Sequence, residues 1–206
     1  MSQEPLRRRP GPAPRFTRAE IIEAALELID EGPADSFTMR RLASHLGINP
    51  MTIYGYVADK DEIIEAATLL AVERVHVERA ADASRRDRLR AAVHDLYRVS
   101  VLHPKLARMV IGRGARAPGL FRTREEILRL LFEAGLEERD ALRSLGVLTY
   151  YALGFGIGHA GYEPLPDLPV SEFPELTRVA DRYAEHASDE AFDLGLDHLI
   201  ERLLVA

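Results

Sequence analysis

Apolar positions recur at helical spacing along almost the whole chain, and no run of alternating β-branched residues interrupts them. The pattern predicts an all-α protein. Thr17, with Glu20 three residues on, has the form of a capping box; Ile21, Ile22, Ala25, Leu28 and Ile29 then give one apolar stripe, so a first helix is expected over 17–31, stopped at Gly32-Pro33. A short second helix starts near Thr38 and puts Leu42, Ala43 and Leu46 on one face before Gly47, a residue suited to a left-handed helix end. Asn49 caps a third, with Pro50 at its first position and Ile53, Tyr54 and Val57 following. Asp59 with Glu62 opens a longer fourth helix to about residue 80, with Ile63, Ile64, Ala67 and Leu70 facing inward. Beyond it 85–102, 104–111, 121–134, 138–160 and 188–204 read as helices, broken at Pro104, around Pro118-Gly119, at Gly135 and across a Pro-rich loop at 164–174.

Composition narrows the class. The 206 residues suffice for one large domain or two small ones sharing a helix, with room for an interior cavity. No apolar run approaches the ~18 residues of a spanning helix, so no membrane partner is expected. The N-terminus is rich in Arg and Pro and lacks the apolar segment of a signal peptide, so a cytoplasmic location is expected. With no cysteine there is no disulfide framework, thiolate nucleophile or Cys-ligated metal.

The net charge of −6 looks wrong for a nucleic-acid binder until its distribution is considered. Residues 1–19 carry five arginines against Glu4, whereas 61–206 hold 19 basic and 25 acidic side chains. DNA contacts are therefore expected from the N-terminal third. The segment 5–14, with four prolines and three arginines, is expected to be a disordered arm in the free protein.

Two short helices joined by a tight turn containing Gly make a helix-turn-helix, in which the turn holds the second helix proud enough to enter the major groove. Residues 38–57 fit this description, with Thr52, Tyr54, Tyr56 and Lys60 presented outward or at helix ends and Arg40 and Arg41 at the start of the second helix. These side chains suit phosphates and base edges. An ordinary three-helix core is the competing reading, but it gives little reason for two phenols, Tyr54 and Tyr56, on either side of a glycine.

The stretch 37–60 resembles the DNA-binding domain of the TetR family of bacterial repressors. The resemblance rests on Leu42-Ala43-x-x-Leu46-Gly47, on Tyr54 followed by Tyr56, and on Asp59-Lys60-Asp61-Glu62. It extends more weakly to the tetracycline-repressor branch through His103-Pro104-x-Leu106-Ala107, Ala134-Gly135-Leu136, Ala152-Leu153-Gly154-Phe155 and an ending that begins at Phe192 and runs through Gly195-Leu196-Asp197 to Leu199-Ile200. The resemblance implies an N-terminal three-helix domain over 15–62 behind the arm 1–14, a linking fourth helix, and a ligand-binding and dimerisation domain over 81–206. It implies a homodimer that binds a double-stranded DNA operator and is released by a small-molecule effector. Arg40 is then expected on a base edge or phosphate, Pro50, Met51, Thr52, Tyr54 and Tyr56 along the groove, Lys60 on a phosphate, and Thr38, Arg41 and Asn49 beside them. Gly55 stands where many relatives have a bulky aromatic, which removes one contact. Arg7, Arg8 and Arg9 of the arm are candidates for further backbone or minor-groove contacts.

In the C-terminal part, 138–160 and 188–204 are the expected dimer helices, with apolar faces rich in Leu, Ala and Gly that suit a four-helix bundle. Tyr97, Val101, Met109, Val110, Leu131, Tyr150, Tyr151 and Phe155 are the apolar and aromatic candidates for an effector pocket. Tetracycline-binding relatives hold a magnesium-chelated drug through a histidine and a glutamate. Val110 stands at the first position and Gly158 near the second, so a different hydrophobic or aromatic ligand is expected and no cofactor.

The Gly-x-Gly-x-x-Gly run at Gly156, Gly158 and Gly161 follows a helix and precedes a Pro-rich loop, so it lacks the strand that a nucleotide-binding turn needs and reads instead as close helix packing. An all-α enzyme or a helical interaction scaffold using the same cavity are the alternative readings. The sequence holds no Gly-x-Ser-x-Gly, no His-Glu-x-x-His and no two Glu-x-x-His motifs to seat a di-iron centre, so nothing supports an enzyme.

Overall fold

The computed structural model describes residues 16–33, 36–76, 82–113 and 118–204, and every regular element among them is helical. The expected arm 1–14 lies outside the described residues. Helix α1 (Arg18–Glu31) begins at the predicted capping box: the Thr17 side chain accepts from the Glu20 N–H, and the Glu20 carboxylate takes the Thr17 N–H at 2.6 Å. Helix α2 (Met39–Leu46) is capped by Thr38 and ends at Gly47, whose φ of 63° is left-handed. Helix α3 (Pro50–Ile53) is shorter than the sequence predicts: the next residues continue as turns with i→i+3 bonds from Gly55 to Thr52 and from Tyr56 to Ile53. Gly55 gives the helix no propensity to extend.

Helix α4 (Lys60–Val75) opens at Asp59, and Glu62 reaches back to the Ala58 N–H. It ends at Val75 and not near residue 80, because His76 adopts an extended conformation. Helices α5 (Arg85–Leu102), α6 (Pro104–Arg113), α7 (Phe121–Glu133) and α8 (Glu138–Ala160) lie close to the predicted spans, with a 3₁₀ turn at Pro118–Leu120 leading into α7. The Pro-rich loop is followed by a helical stretch the apolar pattern did not show, α9 (Pro174–Arg178) and a 3₁₀ run at Ala180–Ala187, neither of which buries a residue. Without a buried stripe, helical periodicity has nothing to register in the sequence. Helix α10 (Asp189–Leu204) closes the fold.

A continuous core runs from Ile21 and Ile63 in the first helices through Leu96 and Leu148 to Leu196 and Ile200 in the last. Helix α8 packs along α5, and Gly156 makes the approach possible: its position faces the Tyr97 carbonyl and Ser100 with no room for a Cβ. Gly158 of the same motif has open space around it, and Gly161 ends the helix. Close packing therefore explains Gly156 alone.

Candidate nucleic-acid interface

The α2–α3 unit has one apolar face and one polar face. Leu42, Ala43, Ile53 and Val57 are buried in the core, with α2 packed on α1 and α3. The Ile48 N–H bonds the Ala43 carbonyl across Gly47, and the Asn49 side chain accepts from the Met51 N–H at 2.9 Å, which sets the angle at which α3 leaves the turn.

Arg40, Met51, Thr52 and Tyr54 stand exposed on the outer face, with Pro50 half-buried beside them. Thr38 and Asn49 are also exposed, but their side chains are occupied as caps. Arg41 is half-buried and its guanidinium donates to the Ser36 hydroxyl, so it braces the start of α2. Tyr56 is half-buried against the core, and the Lys60 ammonium sits 5.7 Å above the Phe37 ring. The outer face thus divides into free side chains and side chains already tied to the domain. Ser44 and His45 are exposed on α2 and were not singled out from the sequence. Their spacing of four from Arg40 and Arg41 was the available signal.

Polar contacts tie α1 to α4 and α6. His103 Nδ1 lies 2.7 Å from the Asp30 carboxylate, and Lys105 donates to the Asp30 and Gly32 carbonyls, so residues at the start of α6 satisfy the C-terminal end of α1. Arg18 of α1 pairs with Glu62 of α4 at 2.8 Å, and the Glu62 carboxyl is held below its usual range by the Ala58 N–H first and by Arg18 second.

The pocket candidates fall into three groups. Tyr97, Val110 and Leu131 are buried in the core, and Val101, Met109, Tyr151 and Phe155 pack half-buried against it. Tyr150 does not join them: it is 58% exposed on the outer side of α8. Phe192, missed from the sequence as an aromatic partner although it opens the α10 motif, lies sandwiched between Tyr97 and Tyr151, with ring centroids 3.8 and 5.2 Å away. Tyr97 donates to Asp189 at 2.5 Å and lies 2.6 Å from His159 Nδ1; burial first, then Asp189, pushes its phenol well above the usual tyrosine range. Burial also raises the Tyr151 phenol, which donates to the Phe192 carbonyl.

Of two cavities, one borders this set and the other is lined by none of it. One of about 360 Å³ is lined by His94, Tyr97, Arg98, Val101, Asp189 and Asp193. Another of about 310 Å³ separates α4 from α7 and is lined by Leu69, Val72, Glu73, His76, Arg122 and Thr123. Among the described residues no three His, Asp or Glu side chains are grouped to hold a metal ion. Val110 is buried and apolar and Gly158 has no side chain, so these positions do not fit a magnesium-chelated drug.

Comparison with known proteins decides the family. Residues 21–67 match bacterial regulatory proteins of the tetR family, and residues 79–205 match the tetracyclin repressor-like C-terminal domain. The chain belongs to the TetR family. This TetR-family chain is 30% identical over 193 residues to the class D tetracycline repressor protein of Escherichia coli, covering 90% of this chain and 88% of the relative. The crystal structure of the TetR family protein ActR from Streptomyces coelicolor in complex with actinorhodin has 25% identity and a TM-score of 0.72, covering 92% of this chain and 97% of that one. BioQ, solved with its double-stranded DNA operator, shares the fold at 20% identity with a TM-score of 0.67, covering 93% of this chain and all of that one. No helix among the described residues is long and apolar enough to cross a membrane.

Proposed function

We propose that this TetR-family chain is a homodimeric transcriptional repressor that acts in the cytoplasm by binding, without catalysis: it holds a palindromic operator and is released by a small hydrophobic or aromatic ligand. The exposed face of α2 and α3 over a buried apolar one carries this reading, because among the described residues no side-chain partner of Arg40, Thr52 or Tyr54 competes with DNA. In this reading residues 15–62 form the DNA-binding domain, α4 links it onward, and 81–206 form the regulatory part. Lys60 at the start of α4 reaches a phosphate, and Arg41 and Tyr56 hold the reading helix in place more than they touch bases.

A dimer is required because half-sites lie about one turn of DNA, roughly 34–36 Å, apart. Leu142, Val147 and Tyr150 on α8 and Leu194 on α10 are exposed apolar groups on the two helices that suit pairing with a second copy. The cleft between α4 and α7 favours an effector site, since a ligand there touches the helix that carries the DNA-binding domain. ActR, with actinorhodin bound in its crystal structure, supports the ligand class. A gel shift with DNA flanking the chain's own gene tests the reading: specific retardation lost on Arg40→Ala with Tyr54→Ala is expected. Unchanged retardation by that double variant overturns the assignment of the reading face.

A further inference from the structure

Met51 is the most exposed large apolar side chain among the described residues, at 73%, and it stands at the second position of α3, in the middle of the outer face. Its backbone is fixed by the Asn49 cap at 2.9 Å, so the side chain projects from a defined point. The turns after α3 tighten to i→i+3 bonds, from Gly55 to Thr52 and from Tyr56 to Ile53, so residue 55 lies one tight turn beyond Thr52. Gly55 presents no side chain there, and a Cβ would meet only the Thr52 carbonyl, at 3.2 Å. The Met51 thioether is left bare.

A long, unbranched, apolar side chain in that place has no use for phosphates or for the hydrogen-bonding base edges. The apolar group that the major groove offers is the C5 methyl of thymine. Resting on the DNA-binding reading above, we infer that Met51 is a specificity-determining residue that packs on a thymine methyl in each half-site. Methionine suits this role because its flexible thioether adapts to an irregular surface. The operator then discriminates thymine from cytosine at that step through an apolar contact, while Arg40, Thr52 and Tyr54 supply the polar ones.

The test uses the full-length protein and the shortest duplex from the gene's flanking DNA that retains specific binding. Each thymine in the protected region is replaced in turn by deoxyuridine, which removes the methyl group and leaves base pairing intact. One position per half-site should weaken wild-type binding about fourfold, and both together about fifteenfold, as expected for losing one or two buried methyl contacts. Met51→Ala and Met51→Gln should bind the thymine duplex more weakly and show no difference between thymine and deoxyuridine at those positions. Both variants should keep the wild-type melting curve, because the side chain is exposed. If every deoxyuridine duplex binds the wild type equally, or if Met51→Ala keeps the same deoxyuridine penalty, the assignment is wrong while DNA binding stands. If the wild type binds no flanking duplex, the DNA-binding reading and this one fail together.

Discussion

Gly156 of α8 faces Ser100 of α5 so closely that a Cβ on the glycine would lie 2.0 Å from the Ser100 hydroxyl oxygen and 2.8 Å from the Tyr97 carbonyl. The serine has nowhere to go, since its hydroxyl donates to the Tyr97 carbonyl at 2.7 Å and lies 3.2 Å from the Ala152 carbonyl. Gly156→Ala should therefore force α5 and α8 apart and cost about 3 kcal/mol of stability, read from urea unfolding. Gly158→Ala, with open space at its Cβ, should be neutral or gain up to about 1 kcal/mol from helix propensity. Equal effects at the two positions would remove the close-packing account of this glycine motif.

The joint between α1 and α6 gives a second expectation. Lys105 satisfies the last carbonyls of α1, a role that a helix end needs filled and that a cation fills well. Lys105→Ala should lower stability by about 1–2 kcal/mol. It should also loosen the DNA-binding domain relative to the body, seen as faster amide exchange over 26–32 than in the wild type. Unaltered exchange there would mean that the Asp30–His103 contact alone holds the joint.

Tyr97 sets the alkaline limit. Its phenol is raised in the folded protein by burial and by Asp189, so the stability it contributes is complete below the ordinary tyrosine range near pH 10 and is lost as pH rises above that value. Wild-type stability should fall between pH 10 and 11, and Tyr97→Phe should flatten that decline. Urea midpoints across the interval measure it, and parallel declines in the two proteins would contradict the assignment.

Glu62 works on the acid side with the opposite sign. Its carboxyl is held low by the Ala58 N–H and Arg18, so its contribution is present above the usual carboxylate range and disappears as pH falls through its depressed folded value. Glu62→Gln should lower the urea midpoint at pH 7 and match the wild type near pH 2; a constant difference at both pH values would point to packing instead of charge.

The sequence carried the α2–α3 unit well because local chemistry dictates it: Thr38 and Asn49 cap, Gly47 turns left-handed, and Leu42 and Ile53 mark the buried face. It also carried most helix limits in the body, where Pro104 and Gly135 interrupt the periodicity. What it could not carry depends on partners distant in the chain. Arg41 looked as free as Arg40 until Ser36 was placed beside it, and Tyr150 looked like Tyr151 although only the latter turns toward Phe192. The stretch 174–187 was missed for a different reason: it buries nothing, so its helices leave no apolar period.

Salt dependence of binding to the gene's flanking DNA tests the central claim most directly, because each phosphate neutralised contributes about −0.9 to the slope of log affinity against log salt. A dimer using Arg40 and Lys60 from both copies should show a steep negative slope for the wild type, made shallower by about 3 to 4 when both residues are replaced by Ala. A flat wild-type response, or a slope unchanged in the double variant, would contradict recognition of DNA through this face.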